Sequence, residues 1–172
     1  MYNLNIYIND KKIKIEKEVK YLGVYIDQHL NWKHQIQVIS KKLSRGLGIL
    51  SKIRQFVNTE ILTQLYYTLI FPFLTYGILV WGNTYISNLR PLIILQKKAV
   101  RIITTSDFYA HSSPLFKKLE IMKVIDLVYY RNALFMHDYS NSKLPNAFSG
   151  FFIKVIKKHS YKIGRASCRE RV

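Results

Sequence analysis

From Ile61 to Leu89 the chain runs for 29 residues without a charged side chain. The same sequence has 27 Lys and Arg against 10 Asp and Glu, so a gap of that length must leave water somewhere. A bilayer is one destination. A spanning helix needs about 20 apolar residues, and Trp81 and Tyr85 would suit the interface. A protein core is the other. Thr63, Gln64, Tyr66, Tyr67, Thr68, Pro72 and Thr75 dilute the run. A helix beginning near Glu60, capped by Asn58 or Thr59, should kink or break at Pro72 and end around Trp81-Gly82-Asn83. Both destinations are open on these residues alone.

Before the run, two periodicities follow one another. Leu4, Ile6 and Ile8 alternate with Asn5, Tyr7 and Asn9, which predicts a strand. Asn9-Asp10-Lys11 predicts a turn, and Ile13 and Ile15 mark a second strand. Val19 to Asp27 predicts a third, with Gly23 as a bulge or a close backbone approach. The three make a small antiparallel meander over residues 1–28, too small to be stable alone. From Asn31, a plausible cap, the period becomes helical. Trp32, Ile36, Ile39, Leu43, Leu47 and Leu50 share one face, and Lys33, Gln37, Lys41, Ser44, Arg45 and Lys52 cluster on another. Gly46 and Gly48 are expected to loosen the last turns.

After the run, Ser87 to Ile103 predicts a helix with Leu92, Leu95, Ala99, Ile102 and Ile103 on one side and Arg90, Lys97, Lys98 and Arg101 opposite. Asp107 to His111 is a loop. Ser113-Pro114 then opens a short helix to Leu119, and a last helix runs from Val124 to Tyr139. The expected fold class is α+β, mostly α: a small antiparallel β-meander followed by a helical bundle. The expected segments are the meander 1–28, a bundle 29–104, C-terminal helices 105–148 and a basic tail 149–162 that contains Lys154 to His159.

The last ten residues, Ile163 to Val172, switch from the Ile, Lys, Tyr and Asn of the body to Arg, Ala, Ser and Gly. They resemble the conceptual translation of a sequencing adapter, the alternative being a genuine flexible basic tail. Such a scar is set aside in fold reasoning. With it goes Cys168, the one cysteine, and any thiol chemistry. The N-terminus lacks the basic and apolar regions of a signal peptide, and Met1 is expected to lie inside a longer frame.

Charge points to the class of partner. A formal net charge of +17 argues for a polyanion, and the interleaved Tyr and Trp suit stacking beside phosphate contacts. The plain alternative is that Lys-rich helix faces are only solvated. Catalytic patterns are missing. No two acids are adjacent, and Glu16 and Glu18, two apart among lysines, fit a solvated strand end. His29 and His34 are five apart, while His111, His137 and His159 are scattered. No Walker-type phosphate loop or nucleophile elbow is present. The sequence supplies binding surfaces, with no catalytic residue and no metal ligand set.

Several segments together resemble a known family. They are Val19 to Asp27, Leu30-Asn31-Trp32-Lys33-His34, Ile39-Ser40-Lys41-Lys42, Leu65 to Ile70, Tyr76 to Asn83, Leu95 to Ile103, and His111 to Phe116 with Leu119. In order and spacing they look like the region after the catalytic palm of non-LTR retrotransposon reverse transcriptases of the LINE type, jockey-like elements. The likeness covers about residues 1–148. It implies that Tyr21, Leu22 and Gly23 form the primer-grip turn and that the following helices form the thumb, which cradles an RNA/DNA template–primer duplex. Lys33, Lys41, Arg45, Lys52, Arg90, Lys97, Lys98 and Arg101 would then face that duplex. It also implies a buried role for the uncharged run, with no membrane. Fingers, most of the palm and its metal-binding aspartate pair have no counterpart here. The expectation is a C-terminal polymerase fragment without activity or cofactor of its own, whose parent enzyme would use Mg2+. The runner-up is a free-standing basic helical nucleic-acid-binding module.

Overall fold

The protein is described by a computed structural model over residues 7–9, 11, 12, 14 and 16–152. Leu4, Ile6, Ile13 and Ile15 of the expected strands, the basic end Lys154 to His159, and residues 163–172 lie outside the described residues. Within them the class is α+β and mostly α, with four short strands and seven α-helices.

The strands pair as two separate hairpins. β1 (Tyr7–Ile8) runs antiparallel to β2 (Lys11–Lys12), and β3 (Glu18–Tyr21) to β4 (Val24–Asp27). The third strand expected over Val19 to Asp27 is therefore two strands, and the meander is not one sheet. Tyr21 stands opposite Val24, which leaves Leu22 (φ 46°) and Gly23 (φ 83°) as a two-residue turn. Two positive φ values match the twist of the flanking strands. Leucine is an uncommon first residue there, which is why alternation alone carried the strand through the turn.

α1 (Lys33–Ile53) begins after Trp32, whose φ is 61° and whose side chain makes no capping bond. Asp27 instead fixes the loop that leads into the helix. Its Oδ1 accepts the backbone N–H of His29 (3.0 Å) and of Asn31 (3.1 Å), and its Oδ2 that of Trp32 (2.8 Å). Asn31 is not the cap. Its carbonyl instead receives Thr84 Oγ1 at 3.2 Å and Asn88 Nδ2 at 3.0 Å, at the start of α5 (Ile86–Ile103). Gly46 has a packing role. A Cβ there would lie 3.1 Å from Ile70 Cγ1 and 3.2 Å from the Leu69 carbonyl oxygen, so glycine lets the end of α2 (Thr59–Leu69) come close.

One face of the uncharged run is core, while Tyr67, Tyr76, Val80, Tyr85 and Ile86 stay exposed. α2 starts on Asn58, whose Oδ1 accepts the Ile61 N–H at 2.9 Å. The chain then breaks at Ile70, two residues before Pro72, which sits second in α3 (Phe71–Thr75), and after Gly77 (φ 64°) it continues as α4 (Ile78–Trp81). Leu62, Tyr66, Ile70, Leu74, Ile78 and Trp81 are all buried, one per turn across three helices. Among the described residues no helix is long and apolar enough to cross a membrane.

α6 (Ser112–Lys118) starts before the expected Ser113 cap, and Pro114 sits third in it, where the missing N–H has no helical acceptor in any case. α7 spans Val124–Ser140. The ends of α5, α6 and α7 share one device, with a non-glycine residue in the left-handed region: Thr105 (φ 50°), Glu120 (φ 53°) and Ser142 (φ 53°). At each, the N–H of that residue and of the next turn back onto the last-turn carbonyls, as in Ser106 to Arg101, Ile121 to Phe116 and Lys143 to Asp138. For α6 the residues so joined, Phe116 and Ile121, are both buried.

One buried polar side chain pins the interior. Gln96, 1% exposed, donates from Nε2 to the Tyr66 hydroxyl and the Met122 carbonyl, both at 2.9 Å. Its Oε1 accepts the Val124 N–H at 2.8 Å, the first of α7. The chain divides into two compact units, residues 1–135 and 136–172. The first holds the core just described. In the second, the Tyr139 hydroxyl donates to the Phe152 carbonyl at 3.1 Å, with the rings 4.9 Å apart edge to face.

Candidate nucleic-acid interface

α1 packs most extensively against α5, and the two run parallel. Their N-terminal ends are joined by the Asn31 carbonyl and the side chains of Thr84 and Asn88. Their C-terminal ends meet around one cleft lined by Arg54, Lys98, Arg101, Ser106, Asp107 and Phe108 among others. The apolar faces are spent on this contact: Ile39, Leu43 and Leu50 of α1 and Leu92, Ala99 and Ile103 of α5 are buried.

What remains outside is basic. Lys33, Lys41, Arg45 and Lys52 are exposed on α1, and Arg90, Lys97 and Lys98 on α5. None of them takes part in an ion pair among the described residues, where the pairs are Lys14–Glu16, His34–Glu18 and His137–Asp138. Cations without carboxylate partners keep their full attraction for a polyanion. Arg101 is different. It is half-buried, and its Nε donates to the Ala110 carbonyl at 2.9 Å, so part of its guanidinium holds the loop after α5.

Tyr21, Leu22 and Gly23 form the tip of the second hairpin, with Tyr21 64% and Leu22 73% exposed. That hairpin sits at the N-terminal end of α1. The Tyr25 N–H donates to Gln35 Oε1 at 3.0 Å, the Tyr25 and His34 rings lie 4.5 Å apart, and Glu18 hydrogen-bonds His34. Lys33 therefore marks one end of α1, near the body of the hairpin, and Arg54 with Lys98 and Arg101 the other. A helix of this length spans about 30 Å. The expected site residues are not gathered at one point. They are spread over the tip of one hairpin and the two helices α1 and α5.

Arg54 and Phe108 escaped the sequence reading. Arg54 lies just past the last helical residue, where helix periodicity ends, and Phe108 lies in a loop that had no assigned role. The available signal was the aromatic pair Phe108-Tyr109 a few residues beyond the basic stripe of α5. Among the described residues, no group of three or more His, Cys, Asp or Glu is placed to hold a metal ion.

Comparison with known proteins converges on one kind of protein. Over 125 residues the chain is 26% identical to a probable RNA-directed DNA polymerase from transposon X-element of Drosophila melanogaster. It is 26% identical over the same length to the RNA-directed DNA polymerase from mobile element jockey, also of Drosophila melanogaster. Each match covers 70% of this chain and 14% of the relative. A probable RNA-directed DNA polymerase from transposon BS of the same organism is 26% identical over 110 residues, 62% of this chain and 12% of its own length. The chain thus spans a small part of the curated relatives it matches. No family profile matches it, and no solved structure does. The chain is similar to a short part of the reverse transcriptases of mobile elements.

Proposed function

We propose that this chain is the duplex-holding part of a non-LTR retrotransposon reverse transcriptase, the primer-grip turn and thumb that follow the catalytic palm. The observation that carries this is the exposed, unpaired basic surface of two parallel helices, α1 and α5. Lys33, Lys41, Arg45, Lys52, Arg90, Lys97 and Lys98 bind the phosphates of a template–primer duplex and release its counterions. The contacts read no base edges, as a polymerase that must accept any sequence requires. Tyr21, Leu22 and Gly23, at the exposed hairpin tip, lie against the primer end. The similarity to three RNA-directed DNA polymerases supports the assignment.

The Mg2+ of the parent enzyme does not fit these residues, since the described carboxylates form no cluster able to ligate it. No chemical step is assigned to this segment, and the missing palm and fingers are its partners along with the duplex. The test is binding of the full chain to an RNA–DNA hybrid duplex at increasing salt. The logarithm of affinity should fall linearly with the logarithm of salt. Replacing Lys41, Arg45, Lys52 and Lys97 together with Gln should flatten the slope by about 0.9 per lost phosphate contact. An unchanged slope would remove these side chains from the interface. In a primer-extension assay the chain should synthesise nothing, and template-dependent product would overturn the fragment reading.

A further inference from the structure

The cleft where α1 and α5 end is not explained by duplex contact along the stripes. Its volume is about 640 Å³, room for a nucleotide. Three cations line it, Arg54, Lys98 and Arg101, against one carboxylate, Asp107. The side chains of Arg54 and Lys98 make no ion pair or hydrogen bond among the described residues. Two helix C-termini would ordinarily repel an anion. At α5 that field is blunted. The carbonyls of Val100, Arg101 and Ile102 already accept the N–H groups of Thr104, Ser106 and Thr105.

The loop after α5, which lines the cleft with Ser106, Asp107 and Phe108, is tied down by its own hydrogen bonds. Thr104 and Ser106 hydroxyls lie 2.8 Å apart, the Arg101 Nε holds the Ala110 carbonyl, and the Ala110 N–H bonds the Asp107 carbonyl at 3.1 Å. This braced loop presents Phe108, 61% exposed, in edge-to-face contact with Tyr109, 85% exposed, the ring centroids 5.2 Å apart. At these exposures much of both rings is open to solvent. Cations and an exposed aromatic ring lining one nucleotide-sized cleft form the combination that binds unpaired nucleic acid. A duplex cannot use the ring, because its bases are stacked on each other.

We propose that this cleft takes an unpaired nucleotide adjoining the duplex, its phosphate on Arg54 and Lys98 and its base on Phe108. The proposal rests on the duplex-binding reading and extends it to the single strand leaving the duplex.

The test compares the full chain on three probes: a blunt hybrid duplex, the same duplex with a short unpaired tail, and that tail made abasic. The tail should tighten binding by about tenfold, and the abasic tail should lose most of that gain. Phe108→Ala should abolish the gain while leaving blunt-duplex affinity unchanged. Arg54→Gln should reduce it as well. Equal affinity for blunt and tailed duplex, a gain that survives Phe108→Ala, or a full gain from the abasic tail would each overturn the cleft assignment. Binding of the tailed probe without any binding of blunt duplex would uphold the cleft and sink the duplex reading instead.

Discussion

The Tyr76 hydroxyl donates a hydrogen bond to the carbonyl oxygen of Leu22, 54 positions earlier in the chain. It fastens the tip of the second hairpin to the junction between α3 and α4, and with the Tyr25–Gln35 bond it helps hold in place a hairpin whose first strand is wholly exposed. The same junction is held from the other side, where buried Trp81 donates from Nε1 to the Tyr76 carbonyl at 2.8 Å. Tyr76→Phe should cost about 1 kcal/mol, the net worth of one hydrogen bond. Amide exchange from Tyr21 to Val24 should quicken more than exchange in α1, and equal change in both would contradict the local role.

Gly82 closes the same segment. A Cβ there would press on the Ile78 carbonyl oxygen and stand 2.9 Å from Val128 Cγ2 of α7. Neither neighbour has room to yield, because Ile78 and Val128 are both buried. Gly82→Ala should therefore destabilise by about 2 kcal/mol through overpacking. A thermal or urea melt measures this, and an unchanged midpoint would refute the close approach. Next to it the side-chain amides of Asn83 and Asn132 exchange two hydrogen bonds, at 2.7 and 3.3 Å. The family-like run Tyr76 to Asn83 is thus an architectural joint.

Gln96→Leu should cost about 3 kcal/mol. It would leave the Tyr66 hydroxyl, the Met122 carbonyl and the Val124 N–H short of a partner in the core. Burial pushes the Tyr66 hydroxyl up to about 12, against the Gln96 bond, which lowers it. In the unfolded chain that hydroxyl ionises near 10.0, so its contribution is intact below that value and is lost as pH rises toward 12. Tyr66→Phe should lessen the alkaline loss of stability in a pH series of melts. Phenolate absorbance of the wild-type chain should include a component near pH 12 that Tyr66→Phe removes.

Asp27 works at the acid end. Burial alone would raise its pKa, but the N–H groups of Asn31, Trp32 and His29 outweigh it and hold the carboxyl below its ordinary 3.8. The stabilisation is present above that value and fades as pH falls through the lower folded one. Asp27→Ala should lower the melting temperature at neutral pH, and the gap to wild type should close in acid. A gap independent of pH would mean that the carboxylate charge is not what holds the start of α1.

Local spacing determined much of this protein. Period-two alternation marked strands, and the spacing from Trp32 to Leu50 and from Leu92 to Ile103 placed α1, α5 and both basic stripes within a residue or two. The Asn58 cap and the break near Pro72 were legible because each depends on atoms a few residues apart. So was the similarity to reverse transcriptases, carried by ordered short motifs. Tertiary structure decided the rest. Whether the uncharged run lay in lipid or in protein depended on what covered Tyr66, Leu74 and Trp81, and the covering helices lie elsewhere in the chain. Asp27 in place of Asn31 at the start of α1, glycine at 46 and 82 for close contact, and the meeting of Arg54 with Lys98 and Phe108 are contacts between distant positions. Periodicity registers which side of an element is apolar. It carries no information about which other element that side will meet, and so the cleft became visible only once α1 and α5 lay side by side.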